Sequence, residues 1–248
     1  MRDLDLDTHV LALSAQQSLC TAPLIVAISA VVQRKPGHGI GYATAKFFGL
    51  DGASNAAIVS LFSRTSSSIS AATLIISLLT TAALSTGVAA VHQHAFELIW
   101  NLPRRSGPRA YLRQLVWIPT MAGFTVGVLV ATRVGVWMDE HLPGVGEWAV
   151  VALRAAIILG FYWWSQRWLL SGRIAWRALL PGAIAVAILT SVLVEVSRIV
   201  MPAQISWQLR AYGLIGAIFV LAIWLMILST LIFAGVLIGA LASILGDA

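Results

Sequence analysis

Charged residues are scarce in this chain. Only 10% of its 248 residues are Asp, Glu, Lys or Arg, whereas 59% are hydrophobic and the mean hydropathy is +0.88. Soluble domains carry roughly 25% charged residues, so a water-exposed globular protein is excluded. The formal charge of +6 does not indicate a nucleic-acid-binding protein, because the basic residues form short clusters between apolar runs. We expect an integral membrane protein that binds no nucleic acid.

Cysteine is almost absent, and this excludes further classes of site. Cys20 is the single cysteine, so neither a disulfide within the chain nor a cysteine-based metal site can form. We expect no metal and no cofactor. The N-terminus has Arg2 among three aspartates and lacks the basic region and small-residue cleavage site of a signal peptide. The first apolar run is therefore expected to be retained as a span.

Long charge-free stretches predict the fold class. A bilayer core needs about 20 apolar residues per helix, because unpaired backbone groups are not tolerated in hydrocarbon. The prediction is an all-α transmembrane bundle, one integral membrane domain over residues 1–248. Pro23 predicts a kink in the first span, and the Gly-rich segment 36–64 predicts short interfacial helices. The six predicted spans are residues 10–33, 69–90, 114–133, 148–168, 178–198 and 211–235.

The distribution of arginine predicts an orientation. Basic residues favour the cytoplasmic side of short loops. Arginines follow the second span and the fourth span, whereas acidic residues lie between the third and fourth. Six spans then place both termini in the cytoplasm, although the basic residues flanking and within segment 36–64 would lie outside. The residues that carry this prediction are Arg104, Arg105, Arg109 and Arg113, then Arg167, Arg173 and Arg177, and on the acidic side Asp139, Glu140 and Glu147.

Several short motifs resemble one bacterial family. Trp100 and Pro103 precede an arginine cluster, and Leu180-Pro181-Gly182-Ala183 opens a span. Ala211-Tyr212-Gly213, Gly216, Trp224 and Gly235 follow in order. This pattern resembles the YihY/BrkB family of inner-membrane proteins, to which an older ribonuclease BN label is also attached. The resemblance implies six helices, cytoplasmic termini, the bacterial inner membrane of the cell envelope, and roles such as export of a lipid or small solute.

One departure from that family bears on activity. Family members commonly end the sixth span in Gly-Ala-Glu-Leu-Asn, whereas this chain has Gly235, Val236, Leu237, Ile238 and Gly239. The acidic and amide side chains are therefore missing. This departure favours a divergent or accessory member of the family.

Two ionisable residues lie within predicted spans. Arg154 lies inside the fourth span, and Glu195, at helical spacing from Arg198, closes the fifth. A charge at membrane depth costs about 2.5 to 3.5 kcal/mol, so each needs a partner or a polar cavity. One hypothesis is that these side chains line a cavity that holds an anionic head group or relays a proton. The alternative is an ion pair that fixes helix packing, or side chains that reach the interface.

Three further groups of residues have two interpretations each. His92, His94 and Glu97 could bind a metal or provide acid-base chemistry, but we favour interfacial hydrogen bonding. We therefore expect that the protein is not an enzyme.

Aromatic and basic residues at the inner end of span four form either a ligand platform or an interfacial belt that contacts lipid. Small residues four apart allow close helix packing or dimerisation. The belt comprises Trp163, Trp164, Trp168, Trp176, Arg167, Arg173 and Arg177, and the small pairs are Gly123 with Gly127 and Gly235 with Gly239.

The sequence therefore leaves two functions open. The first is a transporter or flippase-like protein that acts on a lipid, a lipid-linked precursor or an amphipathic solute. The second is a non-transporting scaffold or accessory subunit of a cell-envelope complex. Membrane lipids, other envelope membrane proteins and a second copy of the chain are the expected partners.

Overall fold

The computed structural model describes residues 71–141 and 146–246, together with Ala56 and Val59. The predicted first span, Cys20, Pro23 and nearly all of segment 36–64 lie outside these residues. The described ranges contain helices and turns, and no strand was assigned to them, as the all-α prediction requires. The helices are α1 (Ala71–Ile99), α2 (Pro108–His141), α3 (Gly146–Leu169) and α4 (Trp176–Gly246).

Local sequence explains where the helices begin and end. In the turn that follows α1, Asn101 has φ 49°, and the N–H of Leu102 donates to the carbonyl of Glu97 at 2.7 Å. The turn that follows α3 is built in the same way, with Ser171 at φ 61°. A left-handed residue followed by this back-reaching bond is the Schellman end of a helix. α2 begins at Pro108, where a missing N–H costs nothing because the first turn has no intrahelical acceptor.

Three helical segments in the described ranges are long and apolar enough to cross a membrane. They are Trp148–Leu169, Trp176–Gly213 and Phe219–Leu245, and they correspond to the predicted spans four, five and six. These are the helices of a membrane protein. The described part of predicted span 69–90 falls in α1 and predicted span 114–133 falls in α2, and their crossing of the membrane stays a prediction.

The chain remains helical where the sequence predicted a loop after residue 198. α4 continues through residues 199–212, and its helical angles break only at Gly213, with φ 63° and ψ −149°. These dihedrals are essentially restricted to glycine. Across this break, the indole N–H of Trp224 donates to the side-chain oxygen of Gln204 at 3.0 Å. The chain thus reverses at one residue instead of through a polar loop.

The described residues divide into two compact units, and the single integral membrane domain over residues 1–248 stays a prediction. The first unit comprises Ala89–Leu193 and 228–246, and the second comprises 71–88 and Val194–Ile227. In the first unit α2 packs against α3. The core of the first unit contains a cluster of aromatic rings. The ring centroid of His92 lies 5.2 Å from that of Trp117 and 6.3 Å from that of Phe233. The indole N–H of Trp117 donates to the hydroxyl of Ser165 at 2.6 Å, which satisfies two buried polar groups.

Candidate functional site: a polar cleft beside a buried ion pair

A polar cleft opens in the first unit where α1 ends and α2 begins. Its volume is about 200 Å³, enough for several water molecules at about 30 Å³ each. Polar and charged side chains form much of its wall. The polar cleft is lined by Ala90, Gln93, His94, Glu97, Arg104, Arg105, Ser106, Gly107, Ala110, Tyr111 and Gln114.

Glu97 is the most completely buried charged residue of the polar cleft, with 1% of its surface exposed. Its carboxylate forms an ion pair with the guanidinium of Arg173, from the linker between α3 and α4. It also accepts the backbone N–H of Arg105, at 3.2 and 3.4 Å to the two oxygens. The amide of Gln93 donates a further bond at 3.3 Å. A buried carboxylate needs such compensation, because desolvation would otherwise cost several kcal/mol.

Arg173 holds two linkers together in the first unit. Besides Glu97, its guanidinium donates to the carbonyl of Pro103 at 2.9 Å and to that of Leu170 at 3.0 Å. Arg113 on α2 donates to the hydroxyl of Ser171, in the second linker. The α1–α2 linker and the α3–α4 linker therefore lie at the same end of this unit.

The amides of the polar cleft continue the network. Gln114 on α2 donates to the side-chain oxygen of Gln93 at 3.2 Å, and Gln93 donates to the carbonyl of Arg105 at 3.3 Å. This hydrogen-bonded network of Gln114, Gln93, Glu97 and Arg173 thus joins α2, α1 and the α3–α4 linker. Sequence reasoning noted Glu97 only beside His92 and His94 and missed its partners. Gln93, four residues before Glu97, was the available signal, because residues i and i+4 share a helix face.

The ionisable residues predicted within spans belong to different compact units. Arg154 is buried in the first unit, with 7% of its surface exposed. Glu195 and Arg198 belong to the second unit, where their side chains form an ion pair of 3.1 Å. Both side chains of that pair are more than 40% exposed within the described part. The predicted meeting of Arg154 with Glu195 stays a prediction.

The predicted aromatic and basic belt lies at the linker end of the first unit. Trp164 and Trp168 stack with ring centroids 5.5 Å apart, and the indole N–H of Trp168 donates to the carbonyl of Arg113 at 3.0 Å. Arg167 donates to the carbonyls of Gly172 and Ile174 and lies 5.7 Å from the centre of the Trp176 ring. Arg177 is exposed.

The length of α3 can be compared with the thickness of a membrane. Trp148, which is 76% exposed, lies 20 residues before Trp168 on α3. At 1.5 Å per residue this separation is about 30 Å, the thickness of the hydrocarbon core. Because tryptophan concentrates at both membrane interfaces, the linker end of the first unit has the position expected of an interface. Whether Arg167, Arg173 and Arg177 contact lipid stays a prediction.

The two predicted small-residue pairs differ in their surroundings. A Cβ atom at Gly235 would lie 2.7 Å from the backbone nitrogen of Val186, and one at Gly239 would overlap the Gly182 backbone. The two arms of α4 therefore approach closely in the first unit, as small residues allow. In the described part, a Cβ at Gly123 would meet nothing within 4 Å, and one at Gly127 would meet Ile157 at 3.8 Å.

Among the described residues no group of three or more His, Cys, Asp or Glu side chains is arranged to hold a metal ion. Comparison with protein-family models, with curated proteins and with solved structures found no match to this chain. The resemblance to the YihY/BrkB family therefore stays a prediction from sequence motifs.

Proposed function

We propose that this protein is a transporter or flippase-like membrane protein that acts on a lipid, a lipid-linked precursor or an amphipathic solute. The observation that carries the proposal is the polar cleft at the linker end of a unit whose helices are long and apolar. A 200 Å³ polar cavity with a compensated buried carboxylate offers a polar head group a site next to hydrocarbon. The motif resemblance to a family with proposed export roles supports the same function.

The proposal includes the cellular setting. We propose the bacterial inner membrane, six spans and cytoplasmic termini. The two arginine-bearing linkers lie at one end of the first unit, which supports placing them on one side of the membrane. The positive-inside rule favours the cytoplasmic side for both.

Purified full-length protein in liposomes would test transport directly. A lipid labelled on its head group with a dithionite-quenchable fluorophore is placed in both leaflets. Dithionite bleaches about half of the label in intact protein-free liposomes. Bleaching well beyond that fraction is expected if the protein moves lipid, and no extra bleaching across phospholipids and lipid-linked precursors would refute a flippase. An untargeted comparison of envelope lipids and exported metabolites in cells with and without the protein would then identify the cargo class.

The charged residues predicted within spans provide a second test of this proposal. Arg154→Ala and Glu195→Ala are expected to abolish lipid movement while the protein reaches its normal abundance in the membrane. Loss of the protein itself would assign these side chains to packing instead. Arg210→Ala, an exposed arginine of α4, is the matched control and should leave lipid movement unchanged.

A non-transporting scaffold or accessory subunit is the second candidate function. The observation that favours it is the apolar run Val236-Leu237-Ile238 where the resembled family has acidic and amide residues. A chain that moves no lipid yet co-purifies stoichiometrically with one envelope protein would establish this function.

A further inference from the structure

We propose that the polar cleft is a binding site for a phosphate-type oxyanion carried on an amphiphile. The proposal rests on the proposed function and names the ligand chemistry of its site. It starts from the charge of the cleft wall. Glu97 is the carboxylate of the lining, and its charge is compensated by Arg173 from outside the cleft. The charges of Arg104 and Arg105 are therefore left in excess.

Arg104 and Arg105 are placed to use those charges. Both side chains line the polar cleft and are exposed, and within the described ranges neither forms an ion pair. Guanidinium groups bind phosphate oxygens through paired, charge-assisted hydrogen bonds. The cleft also adjoins the first turn of α2, where the helix dipole adds positive potential.

Neighbouring residues on α2 favour an amphiphile over a free anion. Tyr111, at the cleft, is 53% exposed, and Leu115 lies one turn further on the same helix face. Leu112 and Val116 beside it are also exposed. An acyl chain can follow this apolar strip while its head group occupies the cleft. The aromatic belt lies at the same end of the unit, where lipid phosphates are found.

The experiment measures lipid retention by the purified full chain with native mass spectrometry. Phosphatidic acid is compared with diacylglycerol of the same acyl chains, so the two probes differ only in the phosphate. We expect preferential retention of phosphatidic acid, and about tenfold weaker binding in the double variant Arg104→Gln/Arg105→Gln. The substitution at Arg105 keeps its backbone N–H, so its bonds to Glu97 are preserved.

The matched control is Arg109→Gln/Arg210→Gln, which removes the same charge from exposed arginines outside the cleft lining and outside the aromatic and basic belt. It should leave phosphatidic acid binding within about twofold of the native chain. Equal retention of the two lipids, or equal weakening by control and cleft variants, would overturn the proposal. Circular dichroism of each variant ensures that weak binding is not caused by unfolding.

A competition arm separates the two sources of phosphate. Inorganic phosphate is titrated against bound phosphatidic acid at constant ionic strength. If inorganic phosphate fails to displace the lipid, the ligand is an amphiphile, as proposed. Full displacement would overturn the proposal of an amphiphilic ligand and would indicate a site for free phosphate. Binding is measured without transport, so a chain that binds phosphatidic acid but moves no lipid refutes the proposed function and not this inference.

Discussion

Arg173 forms an ion pair with Glu97 across 76 residues of sequence, and this pair joins the end of α1 to the linker between α3 and α4. The side chains are 14% and 2% exposed. Such burial makes each partner depend on the other, because a single charge left behind has neither water nor a counter-ion. The pair also fixes one wall of the polar cleft.

Removing either partner of this pair is expected to destabilise the protein. Glu97→Gln or Arg173→Gln should lower the free energy of unfolding by about 3 to 5 kcal/mol, since each leaves one buried charge uncompensated. The double variant should lose less than the sum of the two. Reversible unfolding in mixed micelles measures these values. The control Arg104→Gln changes an exposed side chain that forms no ion pair within the described ranges, and it should cost no more than about 0.5 kcal/mol; an equal cost at Glu97 would contradict the buried-pair account.

The close approach of the α4 arms predicts a strong effect at Gly235. A Cβ there would lie 2.6 Å from Cγ2 and 2.9 Å from Cα of Val186, so Gly235→Ala forces the backbones apart. We expect a loss of about 1 to 3 kcal/mol in the free energy of unfolding, the usual cost of overpacking. Gly123→Ala, with open space at its Cβ, should cause no loss and should stabilise the helix by up to about 1 kcal/mol. Indistinguishable melting temperatures for the two variants would argue against this packing.

Gly213 predicts a backbone effect without any clash. A Cβ at this position meets nothing within 4 Å, but φ 63° with ψ −149° is unfavourable for any residue with a side chain. Gly213→Ala should therefore cost about 1 to 3 kcal/mol. The control is Gly160→Ala in α3, which also has open space and should stabilise the helix by up to about 1 kcal/mol. Thermal unfolding of both variants in the same detergent compares them, and a neutral Gly213→Ala would refute a reversal at this residue.

The contacts of Arg173 predict that the two linkers face one side of the membrane. In a Cys20→Ala background, single cysteines at Ser106 and Ala175 should both react with an impermeant maleimide from the same side. The proposed orientation makes that side cytoplasmic, so labelling should require opened cells. A reporter fused after Gly144, which lies outside the described residues, should behave as external. Opposite accessibility of Ser106 and Ala175 would contradict the fold of the first unit, whereas a cytoplasmic reporter at Gly144 would overturn only the topology.

Apolar stretches predicted the helices of α3 and α4 well. The predicted span 148–168 nearly coincides with Trp148–Leu169, because an apolar run of this length with so few charges has few stable forms other than a helix in hydrocarbon. The same reasoning placed a loop after residue 198, where α4 continues to Gly213. Gln204 and Gln208 in this stretch are compatible with a helix, and Gln204 has a partner in Trp224. Hydropathy indicates whether a segment prefers lipid or water, and it does not identify a turn made by one glycine.

The candidate site was harder to predict, because its residues come from three places in the sequence. Gln93 and Glu97 lie on α1, Gln114 lies on α2, and Arg173 comes from a linker more than 50 residues further on. Arg173 was predicted to contact lipid, together with Arg167 and Arg177, because arginine beside tryptophan is typical of an interface. Its role in compensating Glu97 depends on which linkers meet in space.

Composition alone determined that these helices need an apolar environment, since so few charges among so many hydrophobic residues cannot form a water-exposed surface. The tertiary structure decided which charges are compensated and which line the polar cleft. An ion pair depends on distances of a few ångströms between segments remote in sequence, and such distances are set only when the helices pack.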